Sequence, residues 1–200
     1  MLDSEVVISA RADHPFPPRH VGLNYFELQI KELATSCDDR KESMGVAIGA
    51  CSEYVSLRRV VAGHERYSFG YYSDGSIHME GYEITEYGPT FGEGDTVGCG
   101  LDWNVRSLFF TVNGRKLGKY PLRFWLLQNY AFQLTCWDKL ALLKTDRIFR
   151  KLYPTISVFG GSSQLTINFG EQPFQFSTLC PTACPTASVA GGDAAKKLIT

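Results

Sequence analysis

What this sequence lacks narrows its function before any motif is read. No run of Lys or Arg exceeds two residues and the formal net charge is −1. The basic footprint that neutralises a phosphate backbone is therefore missing, and no nucleic-acid partner is expected. No apolar run reaches the ~20 residues of a bilayer-spanning helix. The opening stretch, Met1 to Ala12, shows no charged-then-apolar leader pattern. No membrane association is expected, and the expected localisation is cytoplasmic and/or nuclear. The six cysteines, Cys37, Cys51, Cys99, Cys136, Cys180 and Cys184, form no CxxC pair and have no histidines at finger-like spacing. They read as reduced thiols, with Cys51 and Cys99 as small core residues, and no metal site or cofactor is assigned. His14, His20, His64 and His78 have no Ser or Cys elbow motif near them, so no catalytic residue is assigned and no enzymatic activity is expected.

What is present points to strands. At 200 residues, with 44% apolar and 20% charged residues, the chain suits one well-buried core. Its 13 Phe, 10 Tyr and 19 Gly favour pleated surfaces and tight turns. Tyr25 to Lys31 alternates strictly, which predicts a half-buried strand with Phe26, Leu28 and Ile30 on the core face and polar or amphipathic residues on the other. Met44 to Ala50 alternates large with small side chains, a central strand whose second face lets a neighbouring element approach closely. Gly45 and Gly49 have no third Gly and no following helix, so the segment is not a dinucleotide loop. Three hairpins are predicted. The first joins Ser68–Tyr72 to Ser76–Met79 through Ser73-Asp74-Gly75. The second joins Thr96–Leu101 to Ser107–Val112, after which Asn113-Gly114 turns the chain into Arg115–Leu117. The third joins Tyr153–Phe159 to Gln164–Phe169 around Gly160-Gly161. The expected fold is all-β, an antiparallel two-sheet β-sandwich.

Two segments break this rhythm. Arg123 to Arg150 contains no Gly or Pro and is apolar on every side, so residues 123–149 read as an anomalous insertion. It is either translated non-coding sequence or a genuine partner-binding helical arm. From Ser177 onward no periodic apolar face exists, which predicts a flexible tail over 177–200. The expected organisation is an N-terminal extension over 1–10, the sandwich over 11–176, and that tail.

Tyr25-Phe26-Glu27-Leu28, the tract Tyr87-Gly88-Pro89-Thr90-Phe91-Gly92-Glu93-Gly94-Asp95-Thr96-Val97-Gly98-Cys99, and Leu152-Tyr153-Pro154-Thr155 with Asn168-Phe169-Gly170 recur together in one order. This series resembles the SPRY domain family. With Asp13-His14-Pro15, Phe109 to Gly114 and Asn168 to Phe174 added, it is similar to the SPRY domains of Ran-binding-protein-like scaffold subunits of the CTLH ubiquitin-ligase complex. The resemblance implies a concanavalin-like sandwich whose loops bind a short peptide segment of a protein partner. It also implies an adaptor or substrate-receptor role linked to ubiquitin ligation, within a larger complex. One departure stands out: where close relatives carry a Gly-Trp-Asp type segment, this chain has Gly63-His64-Glu65.

By position, Tyr54-Val55-Ser56-Leu57 and Phe159-Gly160-Gly161 match peptide-binding loops of SPRY proteins of the SOCS-box group. That makes Tyr54, Leu57, Phe159, Gly160 and Gly161 candidate site residues, although the same residues could simply cap the sandwich. Arg19 joins them as a fork of donors at the rim, against the plainer alternative of a solvated side chain. Tyr67, Tyr71, Tyr72, Tyr82 and Tyr87 either line a groove or fill the core. Trp103 reads as a lid on the core. Glu83, Glu86, Glu93 and Asp95 cluster in sequence, and concanavalin-like sandwiches can host carbohydrate-binding or glycan-processing sites. That is the alternative function; turn and surface carboxylates are the simpler reading.

Overall fold

The computed structural model describes residues 7–17, 22–33, 45–58, 60–104, 107–117, 151–161 and 163–177. Arg19, Met44, the expected insertion over 123–149 and all of the 177–200 tail except Ser177 lie outside them. Among the described residues, eleven strands form two antiparallel sheets. The six-stranded sheet runs in the order β1 (Val7–Arg11), β10 (Leu152–Phe159), β3 (Gly45–Ser52), β4 (Ser68–Tyr72), β5 (Ile77–Met79), β6 (Tyr82–Ile84). The five-stranded sheet runs β11 (Ser163–Asn168), β2 (Leu23–Leu33), β7 (Thr96–Asp102), β8 (Ser107–Val112), β9 (Arg115–Lys116).

The period-2 pattern places the core between the sheets. Phe26, Leu28 and Ile30 of β2 meet Val97, Cys99 and Leu101 of β7 and Leu108, Phe110 and Val112 of β8 on one side. Val46, Ile48 and Ala50 of β3, Phe69 and Tyr71 of β4, and Ile156 and Val158 of β10 supply the other. Cys51 and Cys99 are both fully buried, and burial pushes the Cys99 thiol up from its ordinary value. Trp103 is buried in this cluster, as the lid reading expects.

The turns follow their sequence chemistry. Gly75 adopts φ +87° and its amide donates to the Tyr72 carbonyl, while Asp74 accepts from the Ser76 amide. Asn113 and Gly114 both take positive φ, as a tight hairpin turn demands. Gly94 also has positive φ, and Asp95 accepts the Gly92 amide at 2.8 Å.

Three expectations need correction. First, β10 and β11 are not a hairpin: β10 is paired on both edges, with β1 and with β3, so no edge is left for β11. Gly160 at φ +78° instead turns the chain toward the opposite sheet, where β11 pairs with β2. Second, the sandwich includes residues of the expected N-terminal extension, because Val7–Arg11 forms the strand β1, paired with β10. Third, the first half of β2 is buried on both faces, since Tyr25 and Glu27 are buried as well as Phe26 and Leu28, while the expected alternation holds from Gln29 onward, with Gln29 and Lys31 exposed and Ile30 buried.

The third correction has a clear cause: each sheet carries a strap across its outer face. On the five-stranded sheet, the segment Phe174 to Phe176 crosses over Tyr25, with centroids 4.9 Å from Phe174 and 5.2 Å from Phe176. Glu27 accepts the backbone amides of Gln175 at 3.0 Å and Phe176 at 2.9 Å. Gly98 makes room for this layer: a Cβ there would lie 2.0 Å from the Tyr25 hydroxyl oxygen. On the six-stranded sheet, Val60 to His64 lies over the small residues of β3, β4 and β10. The Ser9 hydroxyl donates to the Val60 carbonyl, the Ala62 amide to the Ser157 hydroxyl, and the Tyr72 phenol to the Ala62 carbonyl at 2.8 Å. A Cβ on Gly70 would lie 2.2 Å from the Ala62 carbonyl oxygen. Val61 of the strap packs with Ala47 of β3, the close approach that the large/small alternation in β3 anticipates.

Candidate functional site

The loop over 53–67 connects β3 to β4 and carries two of the candidate residues. Its entry is fixed by Arg11, whose Nη1 donates to the Ser52 carbonyl at 2.9 Å and the Val55 carbonyl at 3.2 Å, with the guanidinium 5.3 Å from the Tyr153 ring centroid. Val55 is buried, so the main chain is anchored just beyond Tyr54. Tyr54 itself is 83% exposed. Leu57 is half-buried. Beside Tyr54, Glu53 pairs with Lys151 at 3.1 Å, and the ammonium holds the Glu53 carboxyl below its ordinary range. The loop exit is equally constrained: Tyr67 sits at φ 66°, its carbonyl accepts the Ser52 amide, and its own amide donates to Glu80. An aromatic side chain is thus presented to solvent on backbone held at both ends.

The other candidates stand elsewhere. In the β3–β10 register, Ser52 faces Leu152 while Gly45 faces Phe159. Tyr54 and Phe159 therefore lie toward opposite ends of β3, a strand that spans roughly 23 Å at ~3.3 Å per residue. The Phe159 ring is half-buried, packs 5.8 Å from Tyr72, and belongs with Ala47 and Val61 to a small cluster under the strap. Gly160 and Gly161 form the crossing between sheets. The structure brings Tyr54 and Leu57 into one loop and does not bring Phe159, Gly160 and Gly161 to it. Arg19 lies outside the described residues.

The tyrosines divide by position. Tyr71 and Tyr72 are buried, Tyr87 packs on the core beside Tyr71 with centroids 5.7 Å apart, and Tyr82 is 62% exposed. Burial raises the Tyr71 and Tyr72 phenols and takes Tyr87 up to about 12. The carboxylates considered for glycan chemistry have local roles or open positions. Asp95 accepts from Gly92 and from the Asn113 side chain, and Glu83 sits exposed on β6 opposite His78. Among the described residues, no three His, Cys, Asp or Glu side chains converge in a way that could hold a metal ion.

Two features escaped the sequence reading. Glu27, an apparently outward polar residue, is 3% exposed and clamps the C-terminal strap. The signal was its position between aromatic and glycine neighbours, Tyr25 and the facing Gly98 and Gly100. The rings of His64 and His78 have centroids 4.9 Å apart. They are distant in sequence, and only the strap joins them.

Ran-binding protein 10 of Danio rerio is 31% identical over 169 residues, covering 84% of this chain and 22% of that protein. Ran-binding protein 9 of Homo sapiens is also 31% identical over 84% of this chain, which spans 19% of it. The Ran-binding protein M homolog of Arabidopsis thaliana is 28% identical over 153 residues, 76% of this chain and 26% of that protein. The chain thus spans about a fifth to a quarter of these relatives. A solved structure described as a human SPRY domain matches with a TM-score of 0.57 at 19% identity, covering 86% of this chain and 89% of that one, which supports the sandwich fold. The SPRY domain model matches residues 24–172, from the start of β2 to beyond β11. This chain belongs to the SPRY domain family.

Proposed function

We propose that this SPRY sandwich is a non-enzymatic protein-interaction module that captures a short peptide segment of a protein partner on its 53–58 loop. The family and the Ran-binding-protein relatives support an interaction domain. The observation that carries the finer reading is Tyr54, 83% exposed on a loop tied down by Arg11 and the buried Val55. An aromatic anchor on rigid backbone offers large contact area with only two torsions to fix. Leu57 supplies an aliphatic neighbour in the same loop.

The adaptor role linked to ubiquitin ligation, membership of a larger complex and cytoplasmic or nuclear residence belong to the same proposal and rest on the resemblance. Co-purification of a ubiquitin-ligase activity with the tagged chain from cytosolic and nuclear fractions supports them; recovery without such activity removes the ligase link. The binding site is tested by selecting peptides from a random displayed library on the folded chain and measuring each against Tyr54→Ala. We expect at least about tenfold weaker binding to the variant, with an unchanged melting temperature. Peptides that bind both proteins equally would place the site elsewhere. Glycan-array hits in the absence of any selected peptide would favour the carbohydrate alternative.

A further inference from the structure

The segment Gly63-His64-Glu65 was marked by sequence as a departure, and its histidine meets a second one on the outer face of the six-stranded sheet. His64 comes from the strap, His78 from β5 and Tyr72 from β4. The centroid separations are 4.9 Å for His64–His78, 4.1 Å for Tyr72–His78 and 6.0 Å for His64–Tyr72. His78 is partly buried, and a Cβ on Gly63 would lie 2.5 Å from the His78 carbonyl oxygen, so strap and strand are in close contact here. Neither imidazole makes a hydrogen bond or ion pair among the described residues.

The ionisable groups around the pair come from every neighbouring element. Glu65 and Arg66 flank His64 on the strap. Tyr72 of β4 donates its phenol proton to the Ala62 carbonyl. Asp74 lies in the turn after β4, Glu80 accepts the Tyr67 amide in the turn after β5, and Glu83 of β6 faces His78 across the strands.

We propose that His64 and His78 form a proton-operated latch: the two rings in contact hold the strap against the sheet, and protonation of His78 on mild acidification sets a charge against that contact and loosens it. The strap bonds most directly affected are Gly81 amide to Gly63 carbonyl at 2.9 Å, Gly63 amide to Ser68 hydroxyl at 2.7 Å, and His64 amide to Val61 carbonyl at 3.2 Å. Burial first, and the His64 ring second, hold His78 below its ordinary value of 6.5, outweighing the attraction of Glu83 and Asp74. The sign follows from linkage. A histidine depressed in the folded state binds fewer protons there than in the open state, so its contribution is fully present above about pH 6.5 and is lost as the pH falls through the folded value. The latch stands independently of the peptide site, although the strap continues the loop that carries Tyr54.

The test is nuclear magnetic resonance on the whole chain. Histidine ring protons are titrated, and amide protection factors for Ala62, Gly63 and Gly81, corrected for intrinsic exchange, are compared at about pH 7.5 and 5.5. We expect a His78 midpoint below 6.5 and an approximately fivefold or larger loss of protection on acidification. His64→Trp keeps a ring on the strap without a second imidazole, and His64→Gln guards against misfolding of that variant. Either should raise the His78 midpoint and remove most of the pH-dependent loss. Protection that is unchanged with pH in the native chain would overturn the proposal. So would the same loss persisting in both His64 variants.

Discussion

Glu27 shows how much one side chain organises. Its carboxylate is nearly inaccessible, accepts two consecutive strap amides, and takes a third bond from the Tyr25 phenol at 2.9 Å, while Thr111 lies 2.6 Å from that phenol. Replacing it with Leu strands two backbone amides, so Glu27→Leu should lose about 3 kcal/mol by urea denaturation, most of it from desolvated donors left without acceptors. Phe159 and Tyr54 form a contrasting pair. Phe159→Ala removes a ring packed against Tyr72 and should cost about 2 kcal/mol of stability, whereas Tyr54→Ala, at a site 83% exposed, should leave the chemical denaturation midpoint within about 0.5 kcal/mol of native. A large loss in the second variant and none in the first would reverse this assignment. The inward residues of β2, β3, β7 and β8 were legible because alternation reports one buried face. The role of Glu27 was not, because a strand covered on both sides by a later segment carries no local sign of the second cover.

At the level of elements, the strap over 60–64 is the device that turns the outer face of the six-stranded sheet into a second, smaller packed layer. Gly70→Ala pushes a methyl group into the Ala62 carbonyl and should destabilise the chain by about 1–3 kcal/mol, with hydrogen exchange accelerated at Ala62 and Gly63 before the core strands respond. Arg11→Ala removes two bonds to the 53–67 loop and should cost about 1–2 kcal/mol. Because Lys cannot reproduce the fork, Arg11→Lys should recover only part of it. The hairpins at Asp74-Gly75 and Asn113-Gly114 could be read from their turn residues. The third predicted hairpin failed at Gly160 because a Gly-rich turn specifies a reversal but not which sheet receives the next strand. That choice was made by β1, whose pairing fills the free edge of β10.

For the whole molecule, the buried phenols set a limit on the alkaline side. Tyr25, Tyr71, Tyr72 and Tyr87 are all raised from 10.0, chiefly by burial. A raised phenol keeps its proton in the folded state while the unfolded chain loses it. Stability is therefore intact below about pH 10 and falls as the pH climbs above it. Absorbance of tyrosinate near 295 nm should show a cooperative step coincident with loss of the strand signal in circular dichroism. A smooth titration of all tyrosines without unfolding would contradict the packing described.

The strand order also governs assembly in time. Ser9 of β1 meets Ser157 of β10 at 2.7 Å across 148 positions of sequence, and β10 separates β1 from the rest of its sheet. During synthesis β1 emerges long before β10 and must wait for it until β10 has cleared the ribosome. Closure over so long a loop is slow. The nascent chain thus carries an open β3 edge until Leu152–Phe159 has been made, a period in which chaperone binding, rather than intrinsic folding, would protect it.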